Sequence, residues 1–129
     1  MKEAYLQTKF VISDKLVNLP DFTYILTACN PMDRKLSDLE NRKRNSKLQD
    51  MINQGGYLCL PIMGVSEDLK HKEPSFLTNA KKDQSMDWAK RFNQRAIFQV
   101  HKDILSLILC SSDRTTIEMG SFKKRWIMG

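Results

Sequence analysis

Apolar residues in this chain gather in short runs divided by polar stretches, a spacing that favours strands over long helices. Phe10-Val11-Ile12 reads as part of a first strand and Phe22 to Cys29 as a second, with the turn residues Asn18-Leu19-Pro20-Asp21 between them. This pair is expected to form a hairpin. Asn30-Pro31 stops the second strand, because proline brings no N–H to a ladder and holds the residue before it extended. Tyr57 to Met63 alternates with Leu58, Leu60 and Ile62 on one face, and Pro74 to Thr78 is long enough for a further strand. Ala96 to Val100 and Ile104 to Leu109 flank the tight turn His101-Lys102-Asp103 and predict another hairpin.

Two segments carry helical signals. Ser37-Asp38-Leu39-Glu40 matches a capping box, in which the serine hydroxyl accepts from the third helical N–H while the glutamate reaches back to the N–H of the cap. The helix it starts runs to Asn53 or Gln54, where Gly55-Gly56 supplies a left-handed residue for termination. Leu48 and Ile52 mark its core face, and a period of 3.6 brings Asn41 and Asn45 onto that face. Two amides therefore point inward. A second helix is predicted over Ser85 to Gln94, with Met86, Ala89 and Phe92 as its apolar stripe. The order ββαββαββ implies an α+β fold: a mainly antiparallel sheet with two main helices on one face, in a single domain over residues 1–110. Residues 111–129 read as a basic, partly ordered tail.

Composition fits one globular domain: 129 residues, 41% hydrophobic and 28% charged. No apolar run approaches the roughly 20 residues that span a bilayer, and Met1 to Tyr5 lacks the order of a signal peptide. A cytoplasmic protein without a membrane partner is expected. Cys29, Cys59 and Cys110 each sit among apolar neighbours, where thiols act as small hydrophobes; a nucleophilic Cys29 is the sharper alternative, with no histidine near it in sequence. His71 and His101 have no metal-ligand spacing, and no phosphate-binding glycine loop is present, so neither metal nor cofactor is expected.

The formal charge of +6 is uneven, with +3 over residues 34–56, +3 over 80–103 and +2 over 104–129. That distribution raises a second function class, weak and sequence-tolerant nucleic-acid binding through Arg42, Lys43, Arg44, Lys47, Lys90, Arg91, Arg95, Lys123, Lys124 and Arg125, with Trp126 available to stack on a base. No helix-turn-helix or RNA-recognition signature accompanies these residues.

Several fragments in order, Thr27-Ala28-Cys29-Asn30-Pro31-Met32, Asn41, Leu48, Gly64, Glu73-Pro74-Ser75-Phe76 and Phe92-Asn93-Gln94-Arg95-Ala96-Ile97-Phe98, resemble the bacterial family known as domain of unknown function 3293. The resemblance runs from about Tyr5 to Leu109 and implies no reaction, cofactor or catalytic residue.

Read physically, Asn30, Asn41, Asn45, Glu73 and Gln94 sit at or near element ends, where a few convergent polar groups build a small-ligand site. The plainer role for the same residues is capping helices, pinning loops and satisfying buried backbone near Pro31 and Pro74. Glu73 is the one acid of these fragments suited to a general base, with Arg91 or Arg95 as its partner in a hydrolase or nuclease. Whether the protein is an enzyme stays open, and a protein-interaction module without a pocket is the third class. Convergence of Asn30, Asn41, Glu73 and Gln94 in one cleft favours a ligand, a basic stripe favours nucleic acid, and an exposed apolar patch favours a protein partner.

Overall fold

The computed structural model describes residues 2–12, 18–111, 113 and 115–128; Met1, Ser112 and Arg114, which enter the terminal readings above, lie outside them. A short helix α1 (Lys2–Leu6) leads into β1 (Lys9–Ile12) and β2 (Phe22–Leu26), followed by α2 (Asp38–Gln54), β3 (Leu60–Val65), β4 (Lys72–Thr78) and α3 (Lys82–Arg91). Then come β5 (Ala96–His101), β6 (Ile104–Leu109), β7 (Thr116–Ser121) and β8 (Trp126–Met128). The strands form one curled sheet in the order β7-β6-β5-β2-β4-β3-β1-β8, antiparallel throughout except where β1 and β8 run parallel. The fold is α+β, with the two longer helices on one face.

Local chemistry explains the best-formed elements. Ser37 and Glu40 make the reciprocal cap, with Glu40 N–H donating to Ser37 Oγ at 3.1 Å. At the other end Gly55 is the C-cap and Gly56 adopts φ +79°, the left-handed conformation that glycine takes without a Cβ penalty. Lys102 and Asp103 both have positive φ, as the two central residues of a type I′ hairpin require.

Several expectations need correction. β1 and β2 form no hairpin: β1 lies between β3 and the edge strand β8, while β2 pairs with β4 and β5 in the sheet centre, because each strand finds partners farther along the chain. α3 begins three residues earlier than Ser85 and ends at Arg91, β2 stops at Leu26, and β3 begins at Leu60. Within the stretch read as a tail, Thr116–Ser121 and Trp126–Met128 are strands of the same sheet.

Two cores sandwich the sheet. Tyr24, Leu26, Phe76, Ile97 and Ile108 meet Leu48 and Ile52 of α2 and Met86, Trp88 and Ala89 of α3. The opposite, concave face gathers Phe10, Ile25, Ile62, Leu77, Val100, Leu105 and Phe122, so the sheet curls around its own side chains. β7 and β8 are consecutive in sequence yet stand at opposite edges, and Arg125 between them fastens the closure. Its guanidinium donates to the carbonyls of Leu6 at 2.8 Å, Thr8 at 3.1 Å and Met119 at 3.1 Å. Among the described residues no helix is long and apolar enough to cross a membrane.

Candidate functional site

Beyond Leu26 the chain leaves the ladder of β2, and its buried backbone groups must find partners elsewhere. Side chains supply them. Asn45 Oδ1 accepts from Ala28 N–H at 2.8 Å, and Asn45 Nδ2 donates to the Pro74 carbonyl at 2.9 Å. Arg44 Nε donates to the Ala28 carbonyl at 2.6 Å, and its Nη2 donates to the Phe92 carbonyl. Gln94 Nε2 donates to the Cys29 carbonyl at 2.9 Å, while Thr27 Oγ1 donates to Pro74 and accepts from Cys29 N–H. Asn45 and Gln94 are only 7% and 6% exposed, and these bonds use them as braces between α2, β4 and the segment after α3.

Asn30 and Asn41 do more than brace. Asn41 Oδ1 accepts from Asn30 N–H and Asn41 Nδ2 donates to Asn30 Oδ1, both at 2.9 Å. Asn30 Oδ1 also accepts from Leu36 N–H at 3.0 Å, and Asn30 Nδ2 reaches Glu73 Oε2 at 3.5 Å. The backbone here is unusual: Asn30, Met32 and Asp33 have φ of 46°, 49° and 62°, so Asn30 is left-handed and not extended as its place before Pro31 leads one to expect. Left-handed residues other than glycine cost of order 1–3 kcal/mol each and cluster at functional sites. The Asn41 and Asn93 contacts hold this turn, since Met32 N–H donates to the Asn93 carbonyl at 2.7 Å.

Glu73 lies on the concave-face side of β4, and burial pushes its carboxyl up to about 7; the Asn30 amide pulls the other way and the negative charge of Asp33 adds to the rise. Asp33 accepts from Tyr5 OH at 2.9 Å and is paired with Arg95 at 2.7 Å. Burial, then the Asp33 hydrogen bond, raises the Tyr5 phenol and keeps it protonated. Cys29 is likewise held as a thiol: burial pushes it up against the opposing bonds from Thr27 and Asn45. A protonated, buried thiol in hydrogen-bond contact with Asn45 lacks the activation a nucleophile needs.

A cleft of about 470 Å³ opens beside this cluster, with Asn30, Asn41 and Asn45 on its amide side, Arg42 and Lys72 as its cations, and Phe76 in its floor. Asp38 is the acid of its lining. The polar stretch of α2 that leaves its amphipathic stripe incomplete is therefore the wall of a cleft. A larger cavity of about 670 Å³ lies among Leu19, Pro20, Val100, Phe122 and Trp126 and touches none of the five polar site residues.

The predicted site residues thus converge around residues 28–30. Asn30, Asn41 and Asn45 line the cleft; Glu73 and Gln94 do not, Glu73 meeting the Asn30 amide from the concave side and Gln94 holding the Cys29 carbonyl, so the expected convergence of all of them in one cleft is only partial. Sequence reasoning missed Tyr5, Asp33 and Thr27, which carry no local signal, and gave Arg44 a surface role. Arg44 lies four positions before Leu48 and eight before Ile52, a spacing that places it on the inward stripe.

The basic residues fare differently. Arg44 and Arg125 are spent on backbone carbonyls, Arg91 is paired with Asp87 at 3.0 Å and Arg95 with Asp33. Trp126 is half-buried against Phe122, with ring centroids 5.6 Å apart. Arg42, Lys43, Lys47, Lys90, Lys123 and Lys124 are exposed. His71 is exposed, and His101 stacks on Phe22 at 3.9 Å. Among the described residues no group of three or more His, Cys, Asp or Glu is arranged to hold a metal ion.

A family model described as "Protein of unknown function (DUF3293)" matches residues 26–97, from the end of β2 into β5. That span contains Asn30, Asn41, Asn45, Glu73 and Gln94. No curated protein and no solved structure matches the chain.

Proposed function

The chain belongs to the DUF3293 family, and we propose that its domain binds a small anionic metabolite in the cleft between α2 and β4, with Glu73 as a proton-linked group behind Asn30. The observation that carries this reading is the pair Asn30 and Asn41, from a loop and a helix, at a cleft whose charged lining is Arg42 and Lys72 against Asp38, with Glu73 meeting the Asn30 amide from outside that lining. Its volume is that of a small-molecule pocket, and Phe76 and Pro74 give it an apolar floor. The two cations draw a carboxylate or phosphate, and the amides orient it. An anion bound beside Asn30 would make ionisation of Glu73 harder, so binding would strengthen as pH falls through about 7.

Thermal-shift measurements test this reading with a defined panel of phosphate monoesters, mono- and dicarboxylates and a single-stranded oligonucleotide. The expected result is stabilisation by one class of small anion that is lost in Arg42→Ala/Lys72→Ala. Stabilisation by the oligonucleotide alone, or by nothing on the panel, would overturn it.

A further inference from the structure

We propose that the uncovered half of the helix-side face of the sheet is a docking surface for an acidic, amphipathic helix of a partner protein. α3 packs on β2 and β5, and α2 on β4. Among the described residues no helix lies over β3, β1 and β8 on that side. The strand registers align one side chain from each strand there. Pro74 pairs with Met63, Met63 with Val11, and Val11 with Ile127, so a continuous apolar row crosses β4-β3-β1-β8. Phe76 of the helix-packed core stands opposite Pro61, which places this row on the helix side and adds Pro61 to it. Val11, Met63 and Ile127 are partly exposed, and Pro61 and Pro74 are exposed.

Geometry and charge define the occupant. Strands lie about 4.8 Å apart, so the three strands beyond β4 offer a width of roughly 14 Å, which one helix of about 10–12 Å diameter fills. The bare strip is bounded on one side by α2, leaving a step between helix and sheet into which a second helix would fit. Its charged border is mainly cationic: Lys9 and Lys72 flank the buried Val65 at one end, and on the α2 side Arg42 stands with the single acid Asp38 in the lining of the adjoining cleft. A chain with a net charge of +6 repels its own copy across such a border and attracts an acidic partner.

The probes are two synthetic helical peptides of about 18 residues with the same leucine and isoleucine face, one flanked by glutamate and one by lysine. Fluorescence anisotropy against the full chain should show binding of the acidic peptide and at least about tenfold weaker binding of the basic one. Backbone amide shifts should fall on Val11, Met63 and Ile127. Met63→Glu should weaken the acidic peptide at least about tenfold, and Lys9→Glu, a surface change that leaves the apolar row intact, should narrow or invert the preference between the two peptides. Absence of binding, equal binding of both peptides in the wild type, or shifts elsewhere on the surface would overturn the proposal. Pro74, Lys72 and Arg42 belong both to this surface and to the ligand cleft, so the readouts are placed at Met63 and Lys9, which line none of the cleft and whose effect on peptide binding is separable from loss of anion binding.

Discussion

Asn41 on α2 grips Asn30 twice, accepting its backbone N–H and donating to its side-chain oxygen, each at 2.9 Å. The pair locks a left-handed residue immediately before Pro31 and aims its amide nitrogen at Glu73. Asn41→Ala should cost about 1–3 kcal/mol, measured by chemical denaturation, because it strands the Asn30 N–H and leaves the Asn30 side-chain oxygen with the Leu36 N–H alone. Asn41→Asp, which keeps the acceptor for the backbone N–H, should recover part of that loss.

Asn45 makes a stronger case. It is buried, and its amide satisfies Ala28 and Pro74 at once. Asn45→Leu, close in volume but without polar atoms, should destabilise by about 1–3 kcal/mol, since the buried Ala28 N–H loses its partner and the Pro74 carbonyl keeps only the Thr27 hydroxyl. A thermal melt unchanged by this substitution would refute the bracing role.

Glu73 sets a pH dependence. Its carboxyl rises from the ordinary 4.5 to about 7 in the folded chain, so between those values the folded state binds more protons than the unfolded one. Stability contributed by the neutral acid is present in full below about 4.5, falls as pH rises towards 7 and is gone above it. Glu73→Gln should therefore flatten the stability profile over that window and raise stability at about pH 8 relative to the wild type, by at most roughly 3 kcal/mol. Matched denaturation curves of the two proteins across pH isolate this group from every other carboxylate.

Arg125 closes the sheet. Three carbonyls from two distant stretches of chain depend on it, and Arg125→Ala should cost about 2–4 kcal/mol and speed proteolysis near β8. Lysine should rescue little, because a point-like ammonium cannot reproduce the planar fork that serves three acceptors.

Much of the helix architecture was legible in local sequence. The Ser37–Glu40 box and the Gly55-Gly56 end act within one turn of the helix, and the 41, 45, 48, 52 spacing alone turned Asn41 and Asn45 inward. The β5–β6 hairpin was legible for the same reason, since its partners are adjacent in sequence. What failed was long-range. β1 finds β8 across more than a hundred residues, and no local pattern distinguishes that pairing from a hairpin with β2. β7 offers only Ile117 and Met119 as apolar residues between polar ones, too faint a stripe beside Lys123-Lys124-Arg125 to mark an edge strand. The Tyr5–Asp33–Arg95 link was equally hidden, because its members approach one another only once the sheet has formed.

Amide chemical shifts of the labelled full chain report whether the cleft beside Asn30 and Asn41 takes a small anion with Glu73 protonated behind it. Phosphate monoesters and dicarboxylates are titrated separately at about pH 6 and about pH 8, on either side of the Glu73 midpoint. Saturable shifts confined to Cys29, Asn30, Asn41 and the Lys72–Pro74 stretch are expected; for the dicarboxylates, whose own charge is nearly constant over this range, binding is tighter at the lower pH and that difference is lost in Glu73→Gln. Shifts that do not saturate, that spread over the exposed lysines Lys43, Lys47 and Lys90, or that leave Asn30 and Asn41 unmoved would contradict anion binding in that cleft.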